Sequence, residues 1–158
     1  MFITYDYPPQ LGPGRVTTSK LTKYLFRIGW KTIVLTTLPK LAEGRMLPVE
    51  IPEELIHRES NWERWETDNF ITRLTSSFFR SLPGGEIIFR ALLYRYDWHW
   101  RRKIVKQGMK LIEEFKPSII LASCGFSPEG LFVARELSLK TGIPWIAHMR
   151  DPWTKEVS

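Results

Sequence analysis

The stretch Tyr7-Pro8-Pro9-Gln10-Leu11-Gly12-Pro13-Gly14-Arg15 lies between a run that reads as a strand and a run with helical spacing, and this placement narrows the fold sharply. Phe2-Ile3-Thr4-Tyr5 is short, aromatic and β-branched, the pattern of a buried strand. From Thr17 the apolar residues fall at Leu21, Tyr24, Leu25 and Ile28, which is helical spacing. Gly29 is placed to end that helix in a left-handed turn. Thr32-Ile33-Val34-Leu35-Thr36-Thr37 then reads as a second buried strand. Strand, glycine loop, helix and strand make the first βαβ unit of a doubly wound sheet.

The pattern continues with interruptions. Leu38 to Pro52 is a proline- and glycine-bearing loop, and Leu55-Ile56-His57-Arg58 a short third strand, with His57 expected at the surface. Asn61 to Leu82 has mixed periodicity before the breaker Pro83-Gly84-Gly85. Glu86 to about Tyr96 is a helical candidate. Trp98 to Phe115 is a stronger one, with Ile104, Val105, Gly108, Met109, Leu111, Ile112 and Phe115 on one stripe. Lys116-Pro117 ends it, and Ser118–Ala122 reads as a buried parallel strand. Ser127 and Pro128 suit the N-cap and first position of a helix that carries Leu131, Ala134 and Leu137 and closes at Thr141-Gly142. Ile143–Met149 is the last strand. The alternation predicts an α/β fold, a Rossmann-like doubly wound and mostly parallel sheet with helices on both faces.

Charge and cysteine content bound what such a domain does. The 158 residues suit one domain. The single Cys124 excludes an internal disulfide and is expected as a small buried thiol. Met1 is followed at once by a strand pattern, so no signal peptide is expected. No apolar run approaches the roughly 20 residues needed to span a bilayer. Between Arg73 and Lys106 there are eight basic residues and two acidic ones, which equals the entire net charge of +6. Aromatic and aliphatic residues interleave with them. That is the composition of an interfacial helix on anionic lipid, with Arg90, Arg95, Arg101 and Arg102 as the contacting cations. It is equally that of a helix pair with a solvated basic face. No recognisable nucleic-acid module accompanies the charge, so specific nucleic-acid binding is not expected.

In sheets of this kind ligands bind outside the carboxyl ends of the strands. Three segments are predicted to arrive there: the Pro8–Arg15 loop, Ser123–Ser127, and His148 to Trp153. Gly12 and Gly14 would let backbone approach a ligand, the helix start offers unpaired N–H groups, and Arg15 adds a planar cation suited to phosphate. Asp151 could accept a proton from a hydroxyl, and Arg150 could pair with phosphate or with Asp151. His148 reads either as a base or as a hydrogen-bonded strand residue. The loop lacks the G-x-G-x-x-G spacing of a dinucleotide site, and no Cys/His spacing suggests a metal.

These residues also resemble a known family. Tyr7-Pro8-Pro9, Gly12-Pro13-Gly14-Arg15, Lys23-Tyr24-Leu25 and Gly29-Trp30 resemble the opening of glycosyltransferases of the GT4 type, which have the GT-B fold. Asp97-Trp98-His99-Trp100, Lys116-Pro117, Thr141-Gly142-Ile143-Pro144-Trp145 and Arg150-Asp151-Pro152-Trp153 resemble later family segments. The resemblance implies the N-terminal, acceptor-side half of a retaining enzyme that moves a sugar from a nucleotide-sugar to a glycan or lipid-linked acceptor. It implies that Gly12, Gly14 and Arg15 face the donor diphosphate, and that Asp151, with His148 beside it, is the active-site candidate. Arg150, Ser123 and Ser127 would hold substrate. No metal or resident cofactor is implied.

The implied setting is cell-envelope polysaccharide synthesis, cytoplasmic and peripheral at the inner membrane face. Two departures stand out: Arg15 replaces a second glycine common after Gly14, and His148 stands where the family often has Asp. The expected organisation is one Rossmann-like domain over 1–158. The nucleotide-sugar domain is expected to lie outside these residues, supplied in cis or in trans, so the chain alone should transfer no sugar. The rival reading is a non-catalytic module that docks on membranes or a partner chain.

Overall fold

Five strands pair side by side in a computed structural model that describes residues 1–9, 11–38, 46–59, 101–124 and 129–149. The elements are β1 (Phe2–Thr4), α1 (Pro13–Arg27), β2 (Val34–Thr37), a 3-10 turn (Glu53–Leu55), β3 (Ile56–Glu59), α2 (over 101–115), β4 (Ile120–Cys124), α3 (Glu129–Thr141) and β5 (Trp145–Met149). The sheet order is β3-β2-β1-β4-β5, and every pairing is parallel. The α/β, doubly wound expectation therefore holds for the described residues. The expected elements at 61–96, the loop residues 125–128 and the segment from Arg150 onward lie outside them.

Chain direction across the sheet reverses at β1. The β1–α1–β2 unit runs one way and β4–α3–β5 the other, so right-handed crossovers put α1 and α3 on opposite faces. Gly108 of α2 sits against Leu137 of α3 and Leu35 of β2; a Cβ there would lie 2.6 Å from a Leu137 methyl. The first turn of α3 is pressed on the sheet, with a Gly130 Cβ falling 3.3 Å from the Ser123 carbonyl and 3.6 Å from that of Ile3. This face is dry: Ile3, Leu35, Ile104, Leu111, Ile120, Val133 and Leu137 are all buried. Each such side chain contributes roughly 1.5–3 kcal/mol by leaving water.

The α1 face is built differently, in two rows read straight from the register. Ile56, Val34, Phe2, Leu121 and Ile146 stand side by side, one per strand. Two residues further toward the carboxyl ends the row is Arg58, Thr36, Thr4, Ser123 and His148. Arg58 pairs with Thr36, Thr4 with Ser123 and Ser123 with His148, while Thr36 and Thr4 follow the Leu35–Ile3 pair. Because side chains alternate with period two, the first row is apolar and the second polar on the same face.

Several boundaries differ from expectation. Helix α1 begins at Pro13, with Gly12 as N-cap, instead of near Thr17, since proline is preorganised for a first helical position. Its buried residues are Gly14, Thr18, Ser19 and Thr22, while Tyr24 and Ile28 of the expected apolar stripe are exposed. The α1 contact is thus small and polar, which lets the helix lie close over the polar row. Gly29 closes the helix as expected, with φ +91°, Gly29 N donating to Phe26 O and Trp30 N to Leu25 O. Strand β2 begins at Val34, later than Thr32. Strand β4 begins at Ile120 and runs through Cys124, so Ser123 belongs to a strand and not to the following loop. Cys124 is buried, as expected. His57 is turned inward, its ring 5.9 Å from that of Phe115, contrary to the surface placement expected.

Candidate functional site

The polar row opens at the carboxyl rim of the sheet, where the direction of winding changes between β1 and β4. The start of α1 stands over this rim. Its first intrahelical bond is Val16 N to Gly12 O at 3.0 Å, and no side chain caps the end. The first turn contains no acidic residue. Its free N–H groups and dipole favour an anion there. Gly12 and Gly14 are brought to this spot as the sequence predicts; Gly14 is buried, and Gly12 leaves room that an Arg15 nitrogen borders, 3.1 Å from where a Cβ would be.

Arg15 is not a lone cation. Its Nη2 lies 3.4 Å from Asp6 Oδ1, and both side chains are about a quarter exposed. Asp6 holds the guanidinium over the rim, and a phosphate placed there would have to share it. The Asp6 carbonyl accepts from Thr4 Oγ1 at 3.1 Å and Thr18 Oγ1 at 2.8 Å, which ties the loop to β1 and to α1. Asp6 was not singled out from sequence; its signal is the carboxylate just past the first strand.

Behind the loop lies a second polar group. Tyr7 Oη and Thr22 Oγ1 are 2.8 Å apart and buried. Burial raises the Tyr7 pKa above its ordinary value, with the Thr22 hydrogen bond and Arg58 opposing. Arg58 Nη2 donates to the Pro8 carbonyl at 3.1 Å and lies 3.3 Å from Glu53 Oε1. Arg58 Nη1 and Thr36 Oγ1, register neighbours in the polar row, are buried and unpartnered among the described residues. Lys20 and Lys23 both reach Glu50, whose pKa is held below the ordinary carboxylate value by Lys20 first and Lys23 second.

At the other end of the row, Ser123 Oγ lies 3.2 Å from His148 Nδ1. Sequence reasoning named both residues separately; the structure joins them across β4 and β5. Arg150, Asp151 and Ser127 lie outside the described residues, as do Arg90 and Arg95. Met149, which ends β5, is in register with Cys124 at the end of β4, so β5 terminates at the same rim.

Arg101, expected from sequence among the membrane-contacting cations, is engaged inside the protein. Its guanidinium donates through Nε and Nη2 to both Glu129 carboxylate oxygens at 3.0–3.3 Å and lies 4.7 Å from the Phe132 ring centroid. Both side chains of the pair are largely buried, so the cation is used to seat α2 on the first turn of α3. Arg102 is exposed.

No cluster of three or more metal-ligating side chains occurs among the described residues, and no helix among them is long and apolar enough to cross a membrane. Comparisons with protein-family models, curated proteins and solved structures give no match to this chain.

Proposed function

We propose that this chain is the acceptor-side half of a retaining GT-B glycosyltransferase, carrying a sugar from a nucleotide-sugar to a glycan or lipid-linked acceptor. The supporting observation is the polar row, laid across the sheet on the same face and at the same rim as the uncapped start of α1. The α1 start with Arg15 suits a diphosphate, and Ser123 with His148, one and two strands from β1 and so roughly 5 and 10 Å away at ordinary strand spacing, suits a second, oxygen-rich ligand. That spacing leaves room for a sugar to lie between the two. Asp151, two residues beyond β5, is assigned the acceptor hydroxyl by sequence resemblance. Fold alone supports many activities, so the weight rests on the site.

Calorimetric titration with UDP, GDP, ADP and pyrophosphate tests the diphosphate side. Weak binding that Arg15→Glu abolishes is expected, and affinity indifferent to Arg15 contradicts the reading. A panel of nucleotide-sugars should show no turnover by the isolated 158-residue chain, because the donor pocket of such enzymes requires the opposing domain.

A peripheral membrane location is part of the proposal, and the described residues offer a surface besides the one read from sequence. Tyr24, Ile28 and Trp30 are exposed on and beside the last turn of α1, next to Arg27 and Lys31. Aromatic and cationic groups together suit an anionic bilayer surface. Co-sedimentation with acidic liposomes that survives Arg27→Glu and Lys31→Glu would exclude this surface.

A further inference from the structure

The direction of the Ser123–His148 hydrogen bond follows from what else the serine can reach. Ser123 is 5% exposed, and the His148 Nδ1 is the one partner its hydroxyl has among the described residues. If Nδ1 carried the proton and donated to Oγ, the serine hydroxyl hydrogen would be buried with no acceptor among the described residues, which is unfavourable. If the serine donates to Nδ1, its hydroxyl hydrogen and the Nδ1 lone pair satisfy each other. The imidazole is then protonated at Nε2 and has no lone pair there to accept with. His148 is half-buried, and its Nε2 has no hydrogen-bond partner among the described residues. It stands on the α1 face, in the polar row.

We infer that Ser123 is a positioning residue that, by donating to Nδ1, fixes His148 as an Nε2–H donor at the carboxyl rim of β4 and β5, a site for an oxyanion such as a phosphate or carboxylate oxygen. Of the two roles left open by the sequence, base and hydrogen-bonded strand residue, this selects the second: the ring donates and does not abstract a proton. The tautomer assignment stands on hydrogen-bond geometry alone. The ligand assignment rests on the proposed function, and within it makes the acceptor a phosphorylated or carboxylated molecule instead of a neutral sugar.

The tautomer is read directly by long-range proton–nitrogen correlation of the histidine rings in the intact chain, at a pH where they are neutral. The chain has three histidines, and His148→Gln assigns the relevant signals. The expected pattern is Nε2–H for wild type, a mixture in Ser123→Ala, and restoration in Ser123→Thr. An Nδ1–H ring in wild type overturns the inference without recourse to any variant, and so does a pattern unchanged by Ser123→Ala. The ligand is probed with inorganic phosphate and, separately, methyl α-glucoside. Phosphate should shift His148 Nε2, about threefold more weakly in Ser123→Ala, as expected for one lost orienting hydrogen bond. A shift with the neutral glucoside alone overturns the oxyanion assignment. None of these readouts depends on sugar transfer, so failure of the glycosyltransferase reading would be seen separately, in the diphosphate titration.

Discussion

On one face of the sheet Leu35 and Ile3 look toward Gly108, Leu137 and Gly130; on the other, Thr36 and Thr4 look toward a helix that buries Thr18, Ser19 and Thr22. The dry face is a packed core, in which α2 and α3 lock together over the strands. The polar face pairs hydroxyls with carbonyls, leaves Thr36 Oγ1 and Arg58 Nη1 without partners among the described residues, and ends at the rim. The α2/α3 side holds the apolar packing that should carry most of the stability, and the α1 side holds the polar groups to which the proposed site is assigned.

Substitutions should separate the two faces in order of cost. Leu35→Ala removes a fully buried side chain and should cost about 3–4 kcal/mol, read by urea denaturation. A loss under about 1 kcal/mol would break the claim that this face carries the stability. Arg101→Met should cost about 3 kcal/mol, because Glu129 keeps its charge in a nearly dry site. A double-mutant cycle with Glu129→Gln should recover part of that.

A pH effect of similar size lies at the amino end of β1. Burial holds the Met1 amine at about 6, below its ordinary 8.0, while it donates to Ile119 O at 2.8 Å. Between those values the unfolded chain binds more protons than the folded one, so stability rises as pH increases through that window. The penalty is present in full below about pH 6. The two-unit gap corresponds to about 2–3 kcal/mol. Acetylating the amine should flatten this rise in denaturation midpoints; an unchanged slope would assign it elsewhere. The smallest effect belongs to the polar face. Tyr7→Phe removes one hydrogen bond to Thr22 and should cost about 1 kcal/mol. A cost equal to that of Leu35→Ala would erase the contrast.

The architecture was legible because βαβ periodicity and glycine stops are local signals. Gly29 and Gly142 sit at left-handed positions where they were expected, and each apolar run became a strand. What local patterns missed was which side of α1 faces inward. Of the apolar stripe, Tyr24 and Ile28 are exposed and Leu21 and Leu25 only partly buried, while the fully buried positions are Gly14, Thr18, Ser19 and Thr22, because the partner row is itself polar and a close approach favours small residues. That row was invisible for a different reason. Arg58, Thr36, Thr4, Ser123 and His148 come from five strands, and only parallel register aligns them. The pairing of Arg101 was hidden for the same kind of reason: a cation in a basic aromatic segment says nothing of the buried carboxylate, Glu129, that lies 28 positions away.

The central claim is that the carboxyl rim on the α1 face is the binding site. Amide chemical-shift mapping of the intact chain titrated with a nucleoside diphosphate tests it most directly. The account predicts shifts at Thr4, Gly14, Arg15 and Ser123, with Leu111, Val133 and Leu137 unmoved. Shifts confined to α2 and α3, with those rim amides silent at saturation, would contradict it.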